Sequence, residues 1–354
     1  MAYTTIAKPN TYFNTLLYSG DGSSPRNLTG VGFQPDFTWI KQRSSTNTHV
    51  LWDAVRGAGA DKEICTASSG AEGGQQSSLY GYLSSFDSDG FTATTGSTNI
   101  GWVNNSGQTY ASWNWLANGA GVSNTDGSIT STVSASTTSG FSIVQWTGTG
   151  SNATVGHGLG VEPKCFIMKK TSNTSAWSIY HKDVGNTKFL TFSTDVPTLS
   201  STVYNNTSPT SSVFSIGTAD NGNASGQTYI GYFFADKKGF SKFGSYVANA
   251  NTDGTFVYTG FKPAFIIVKN TTSSGNWFML DNKRNTYNVV NSRLTAENTY
   301  AEDTASSYDI DFLSNGFKLR TNSNPNDGAG NTYIYMAFAE NPIVTTDGLP
   351  ATAR

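Results

Sequence analysis

The sequence predicts an all-β protein made of three tandem, jelly-roll-like β-sandwich repeat domains, and three observations carry that expectation. Ser, Thr and Asn supply 122 of the 354 residues and Gly another 37, while only 13% are charged. Long-chained helix formers are therefore scarce, and turn formers and β-favouring side chains abundant. The 8 Trp, 17 Tyr and 21 Phe residues bring enough apolar surface to offset the ordering entropy of a chain otherwise rich in disorder-prone residues. The third observation is an internal repeat, which organises the rest.

Residues 1–12 have no counterpart in the repeat and form an N-terminal arm. The first unit spans 13–118. It opens with FNTLLYSGDG at Phe13, which returns at Phe141 as FSIVQWTGTG; 22 residues after each Phe comes a Pro, in VGFQPDFTWIK and LGVEPKCFIMK. Proline lacks an amide hydrogen, so Pro35, Pro163 and Pro263 belong at the start of the strand that follows or in the turn before it. Those strands, like AFIIVK after Pro263, are apolar on both pleats and call for cover on both faces. Each unit closes on a strand around Tyr110, Tyr229 or Tyr333. Alternation there puts Ala111, Trp113 and Trp115, Ile230, Tyr232 and Phe234, and Ile334, Met336 and Phe338 on the core face.

Residues 119–139 have the Gly/Ser/Thr composition of a linker, with a short strand expected at Ser128 to Val133. The second unit spans 140–238, the third 239–340, opening at Phe240. Residues 341–354 read as a tail. Each unit is expected to pack its own aromatic interior, so that the chain forms three beads in series.

Several classes of chemistry are disfavoured. A net charge of −2 with no basic run offers no phosphate-binding footprint, so nucleic acid is not an expected partner. No apolar run approaches the length of a bilayer span, and MAYTTIAKPN lacks the regions of a signal peptide, so synthesis in a cytoplasm without membrane insertion is expected. Cys65 and Cys165 read as small buried hydrophobes. Three histidines, His49, His157 and His181, are too scattered for a metal cluster, and no metal or cofactor is expected. The carboxylate pairs Asp87 with Asp89, Asp309 with Asp311 and Asp61 with Glu63 do not recur across the copies, which argues against acid–base hydrolysis. A Lys follows each Pro by six residues, at 41, 169 and 269, and reads as a strand end reaching solvent. Asp53 with Arg56, and Asp281 with Arg284, read as ion pairs within a unit. Trp102, in NIGWVNN, is the one glycan-contact candidate, a loop aromatic among polar neighbours.

The strings YSGDG, VGFQPDFTWIKQRSS, HVLWDAVRG, FDSDGF and SGQTYASWNWLANG resemble repeats of structural virion proteins, of tail-fibre or appendage type, from tailed phages of marine bacteria and cyanobacteria. The likeness covers residues 12 to 118 well and the other units weakly. It implies a structural part of a phage virion (tail fibre, appendage or capsid decoration), assembled in the host cytoplasm with other virion proteins and not an enzyme. By analogy with fibres it implies a homo-oligomer, preferably a trimer. Two alternatives come from other classes: an adhesin binding host surface polysaccharide, and a glycan depolymerase.

Overall fold

The computed structural model describes residues 3–98, 101–322 and 328–350. It is all-β, made of antiparallel sheets with only short helical turns. Each unit contributes one principal sheet, and strand order repeats. In the first unit the opening strand Phe13–Ser19 pairs with the closing strand Thr109–Trp115. That strand pairs with the post-proline strand Phe37–Gln42, followed outward by Val50–Asp53 and Ile64–Cys65. The third unit repeats this with Ser241–Val247, Thr332–Pro342, Phe261–Asn270, Trp277–Asp281 and Leu294–Thr295. In the second, Phe141–Thr147, Thr228–Phe234, Cys165–Lys170 and Ser178–His181 take the same places.

The expected linker is largely strand. Val122–Asn124 and Ser131–Ser136 form a hairpin that extends the second sheet beyond its opening strand, with Val133 opposite Val144. The segment is therefore part of the second unit, because its alternating Val and Ala side chains find an apolar face there: Val133 packs with Val144 and Val155.

A smaller sheet lies on the outer face of each principal sheet: Arg26–Thr29, Gly90–Thr94 and Tyr82–Asp87 in the first unit, Ala153–Gly156 with Val213–Ile216 in the second, and Phe256–Tyr258, Gly316–Leu319 and Ile310–Leu313 in the third. Each pair of layers encloses its own core. Phe91 and Trp52 lie in the first, Phe166 and Phe233 in the second, Phe317 and Tyr335 in the third. Gly90 (φ +148°) shows why the turn before Phe91 needs glycine, since a Cβ there would sit 2.0 Å from the Leu28 carbonyl oxygen.

The inner faces overturn the picture of independent beads. They do not close within a unit; all three meet in one common core drawn from every unit. Trp115, Phe234 and Phe338, the last inward residues of the closing strands, form a triangle with ring centroids 5.6, 5.8 and 6.3 Å apart. Elsewhere in this core, Phe192 sits against Trp39, Trp177 and Trp277 at 5.3–5.8 Å. The chain thus wraps into a ring of three sheets about a pseudo-threefold axis. Strands apolar on both pleats are explained directly: one face meets the unit's own outer sheet, the other its two neighbours.

The third opening strand also corrects the repeat alignment by one residue. Ser241 lies opposite Phe338 as Phe141 lies opposite Phe234 and Phe13 opposite Trp115. The counterpart of Phe141 is therefore Ser241 rather than Phe240, and the shift decides which side chains face inward. Phe240 is buried all the same, packing on Phe338 and Tyr12 from just before the strand. The N-terminal arm docks on this third unit: Ile6 joins the common core and the Tyr3 hydroxyl donates to the Gly260 carbonyl at 2.7 Å.

Candidate functional site

Several of the recurring residues collect at the three junctions between units, whereas the closing-strand tyrosines Tyr110, Tyr229 and Tyr333 lie in the outer cores. Consider the middle inward residue of each closing strand: Trp113, Tyr232 or Met336. Each faces the end of the hairpin strand of a neighbour. The Tyr232 hydroxyl donates to Asp53 Oδ2 at 2.8 Å, and Trp113 Nε1 donates to Asp281 Oδ2 at 3.1 Å. Each aspartate is held by the arginine three residues on: Arg56 Nε to Asp53 Oδ2 and Arg284 Nε to Asp281 Oδ2, both 2.6 Å, with the arginine amides donating to the other oxygen. The expected ion pairs therefore exist, and each also receives the neighbour's donor. All four charged side chains are buried. The opposite charge keeps Arg56 firmly protonated, its pKa raised above the ordinary value despite desolvation.

The junction between the second and third units uses other chemistry. Met336 offers no N–H or O–H, and the aspartate position is His181, the arginine position Val184. His181 Nδ1 accepts from the Asp183 amide at 3.2 Å, which leaves Nε2 to donate to the Tyr335 carbonyl at 3.3 Å. Burial pushes the imidazole pKa down to about 4, so the ring is neutral at pH 7.

The repeated lysines correct the expectation of a solvent-facing strand end. Lys41, Lys169 and Lys269 are buried. Each Nζ donates to a carbonyl in its own unit's loop and to one in the neighbour: Lys169 to Ser175 at 2.6 Å and Ser69 at 2.8 Å, Lys269 to Gly275 at 2.6 Å and Thr194 at 3.1 Å. Lys41 donates to Gln42 at 2.8 Å and to Ser45 and Thr299, both at 3.3 Å. Carbonyl dipoles replace only part of the lost hydration, and burial lowers the pKa to about 7 for Lys41 and about 8 for Lys169 and Lys269. Beside them, Trp177 Nε1 reaches the Cys65 carbonyl at 3.1 Å and Trp277 Nε1 the Thr191 carbonyl at 2.9 Å. Both contacts run to the same neighbour as the lysine. His49, in the equivalent slot, accepts Trp39 Nε1 within the first unit at 2.8 Å. Arg43 adds a two-pronged bond to Glu302 at 2.7 and 2.9 Å across the first–third junction.

The carboxylates of the pairs named above are engaged by other groups, Asp61 lying 3.8 Å from Lys62. Asp87 accepts from Ser85 and Thr92, Asp89 from the Gly30 and Gly32 amides, and Asp311 pairs with Arg320. Asp309 accepts from Asn291 at 3.1 Å, and buried Glu63 from Ser77 and the Gln75 amide. Among the described residues no group of three His, Cys, Asp or Glu side chains is arranged to hold a metal. Cys65 and Cys165 are buried free thiols whose pKa desolvation raises. Trp102 does not form the exposed platform expected of it. Only 6% exposed, it lies on Tyr80 at 4.8 Å in the first unit's outer core.

Sequence reasoning missed the partners of these recurring residues, Tyr232, Trp113 and the neighbour's carbonyls. One signal was available. The column Asp53, His181, Asp281 changes in step with the column Tyr232, Met336, Trp113 once the second is shifted by one unit, the pattern a ring of contacts produces.

The fold and its junctions define a single-chain, pseudo-threefold β protein whose recurring polar residues join units. A family model described as a domain of unknown function (DUF7483) matches residues 8–342, and the chain belongs to that family. No curated protein and no solved structure matches. The matched range takes in all three units and part of the arm docked on the third.

Proposed function

We propose that this protein is a structural, non-enzymatic component of a phage particle, assembled from three tandem jelly-roll-like sandwich repeats. The observation that carries the reading is the ring itself. The lysine present in all three copies and the Asp, Arg and Trp side chains present in two are engaged in closing one unit on the next, which supports an architectural role. The likeness of the first unit to virion repeats and the low-charge, Gly/Ser/Thr/Asn-rich composition support the same reading. A chain that brings three similar sheets around one axis can occupy a site of threefold symmetry by itself or cap a trimeric partner. On this reading one chain supplies what three subunits of a homotrimer would. It attaches to other virion proteins through its outer sheets and loops.

The test is particle composition and position. Mass spectrometry of purified virions, followed by reconstruction, is expected to find the chain on the particle, with its density on or near a threefold or sixfold axis. Its absence from particles, with the protein left soluble in infected cells, overturns the proposal.

A further inference from the structure

We propose that the third unit carries a binding site for a neutral sugar, in the groove between the loop around Tyr287 and the turn Leu313–Asn315. The inference stands whether or not the particle assignment does. The loop is a departure from the repeat: Leu294 lies ten residues after Arg284, whereas its counterpart Ile64 lies eight after Arg56. The two extra residues are not needed to close the ring, which the shorter loop also achieves.

The groove has a volume of about 440 Å³, within the usual range for small-molecule sites. Its shape is held without a ligand. Asn288 uses both ends of its amide on the Phe312 backbone, donating to the carbonyl at 3.0 Å and accepting from the amide at 2.9 Å. Asn285 accepts from the amides of Asn291 and Ser292. A preformed loop reduces the ordering cost of binding.

Two features of the lining state what it would take. Asn282 lines the groove and also the neighbouring cleft beside Asn14 and Ala339; its Oδ1 is buried without a hydrogen-bond donor, an orphaned acceptor that a hydroxyl or amide N–H in the groove would satisfy once the side chain turns toward it. Tyr287 is 80% exposed, more than any other large hydrophobic residue described. It makes no hydrogen bond or ring contact with the described residues, leaving its face free for the C–H face of a ring. Charge settles the class. The groove is lined by amides, hydroxyls and apolar carbons with no carboxylate, and its one cation, Lys262, is already paired with Glu340 at 2.7 Å. Neither a metal ion nor an anion is favoured there, whereas a ring with hydroxyls at its edge and C–H on its face fits both features.

Saturation-transfer NMR on the full chain tests this with the methyl glycosides of glucose, galactose and N-acetylglucosamine as probes, and with sialic acid as an anionic comparison. At least one neutral glycoside is expected to bind with a Kd of about millimolar, as a ligand of so few atoms allows. Tyr287→Ala is expected to weaken it at least about tenfold, with a nearly unchanged melting curve because the side chain is 80% exposed. Asn282→Ala should weaken it further, and Tyr300→Ala, at another exposed tyrosine, should not. No transfer from any neutral probe, transfer unaffected by Tyr287→Ala, or binding of sialic acid alone would each overturn the inference.

Discussion

The junction between the first and second units and that between the second and third solve the same packing problem with opposite chemistry. At the first, a buried Asp53–Arg56 pair receives the Tyr232 hydroxyl. At the second, neutral His181 donates to the Tyr335 backbone, and Met336 lies 3.9 Å from the Cys165 sulfur. Both junctions are closed by buried contacts. The common denominator is the aromatic interior, together with the lysine and tryptophan bonds to the neighbour's carbonyls, so the Asp–Arg pair is an option the fold accepts rather than a requirement. A buried carboxylate is tolerated where an arginine and a neutral donor satisfy it, and absent where the facing side chain is a thioether.

The comparison can be broken most severely by taking the ring apart. Residues 13–118 produced alone would expose Trp39, Trp113 and Trp115, which in the ring are covered by their neighbours. The fragment is expected to lack a cooperative melting transition and to aggregate. A soluble fragment with a sharp transition would restore the independent-bead description.

Next in size is the charge pair. Asp53→Ala leaves Arg56 buried without its partner and should cost about 3–5 kcal/mol, read as a lowered denaturation midpoint. Tyr232→Phe should cost about 1.5–3 kcal/mol, the range for a hydrogen bond to a charged group. In a double-mutant cycle the two effects should be strongly non-additive, whereas Tyr232→Phe and Met336→Leu, in different junctions, should add. Met336→Leu alone should cost less than about 1.5 kcal/mol.

Acid should separate the junctions. The His181 pKa falls from the usual 6.5 to about 4 on folding, so between those values the unfolded chain binds the extra proton. This contribution to stability is complete above pH 6.5 and is lost as the pH falls toward 4. His181→Leu should flatten that limb of the stability profile; an unchanged limb would mean that another group governs it. The lysines act on the alkaline side with the same sign. Folded values of about 7 to 8 against an ordinary 10.5 mean that unfolded chains hold more protons between pH 7 and 10.5. Stability should therefore rise with pH across that window, and less steeply in Lys41→Met. Glu297, raised to about 7 by burial, changes stability in the opposite sense between pH 4.5 and 7, so it offsets part of the His181 limb and leaves the lysine window untouched.

Much of the architecture was legible in the chain. Alternation in SGQTYASWNWLAN and its two relatives assigned the inward faces correctly, because a side-chain period of two leaves little choice once one face carries Trp, Tyr and Phe. Although Pro263 falls inside its strand, at a shift of register that spares its missing amide hydrogen, and not at the entry, the doubly apolar post-proline strands announced a sheet covered on both sides. The sequence did not say by what. Lys41, Lys169 and Lys269 illustrate the limit, since a lysine at a strand end reads as solvated until carbonyls from another unit are seen around it. The same holds for Trp102, which looks like an exposed loop aromatic and is covered by Tyr80.

The sequence by itself determined the β class, the three units and the inward face of the closing strands, all properties of local periodicity and of side-chain volume repeated along the chain. Only the tertiary structure decided that the units close on one another, that the expected linker becomes two strands of the second sheet, and that the three repeated lysines are buried. Those outcomes depend on surfaces about a hundred residues apart meeting around an axis, and no local pattern encodes which neighbour supplies the missing donor or carbonyl.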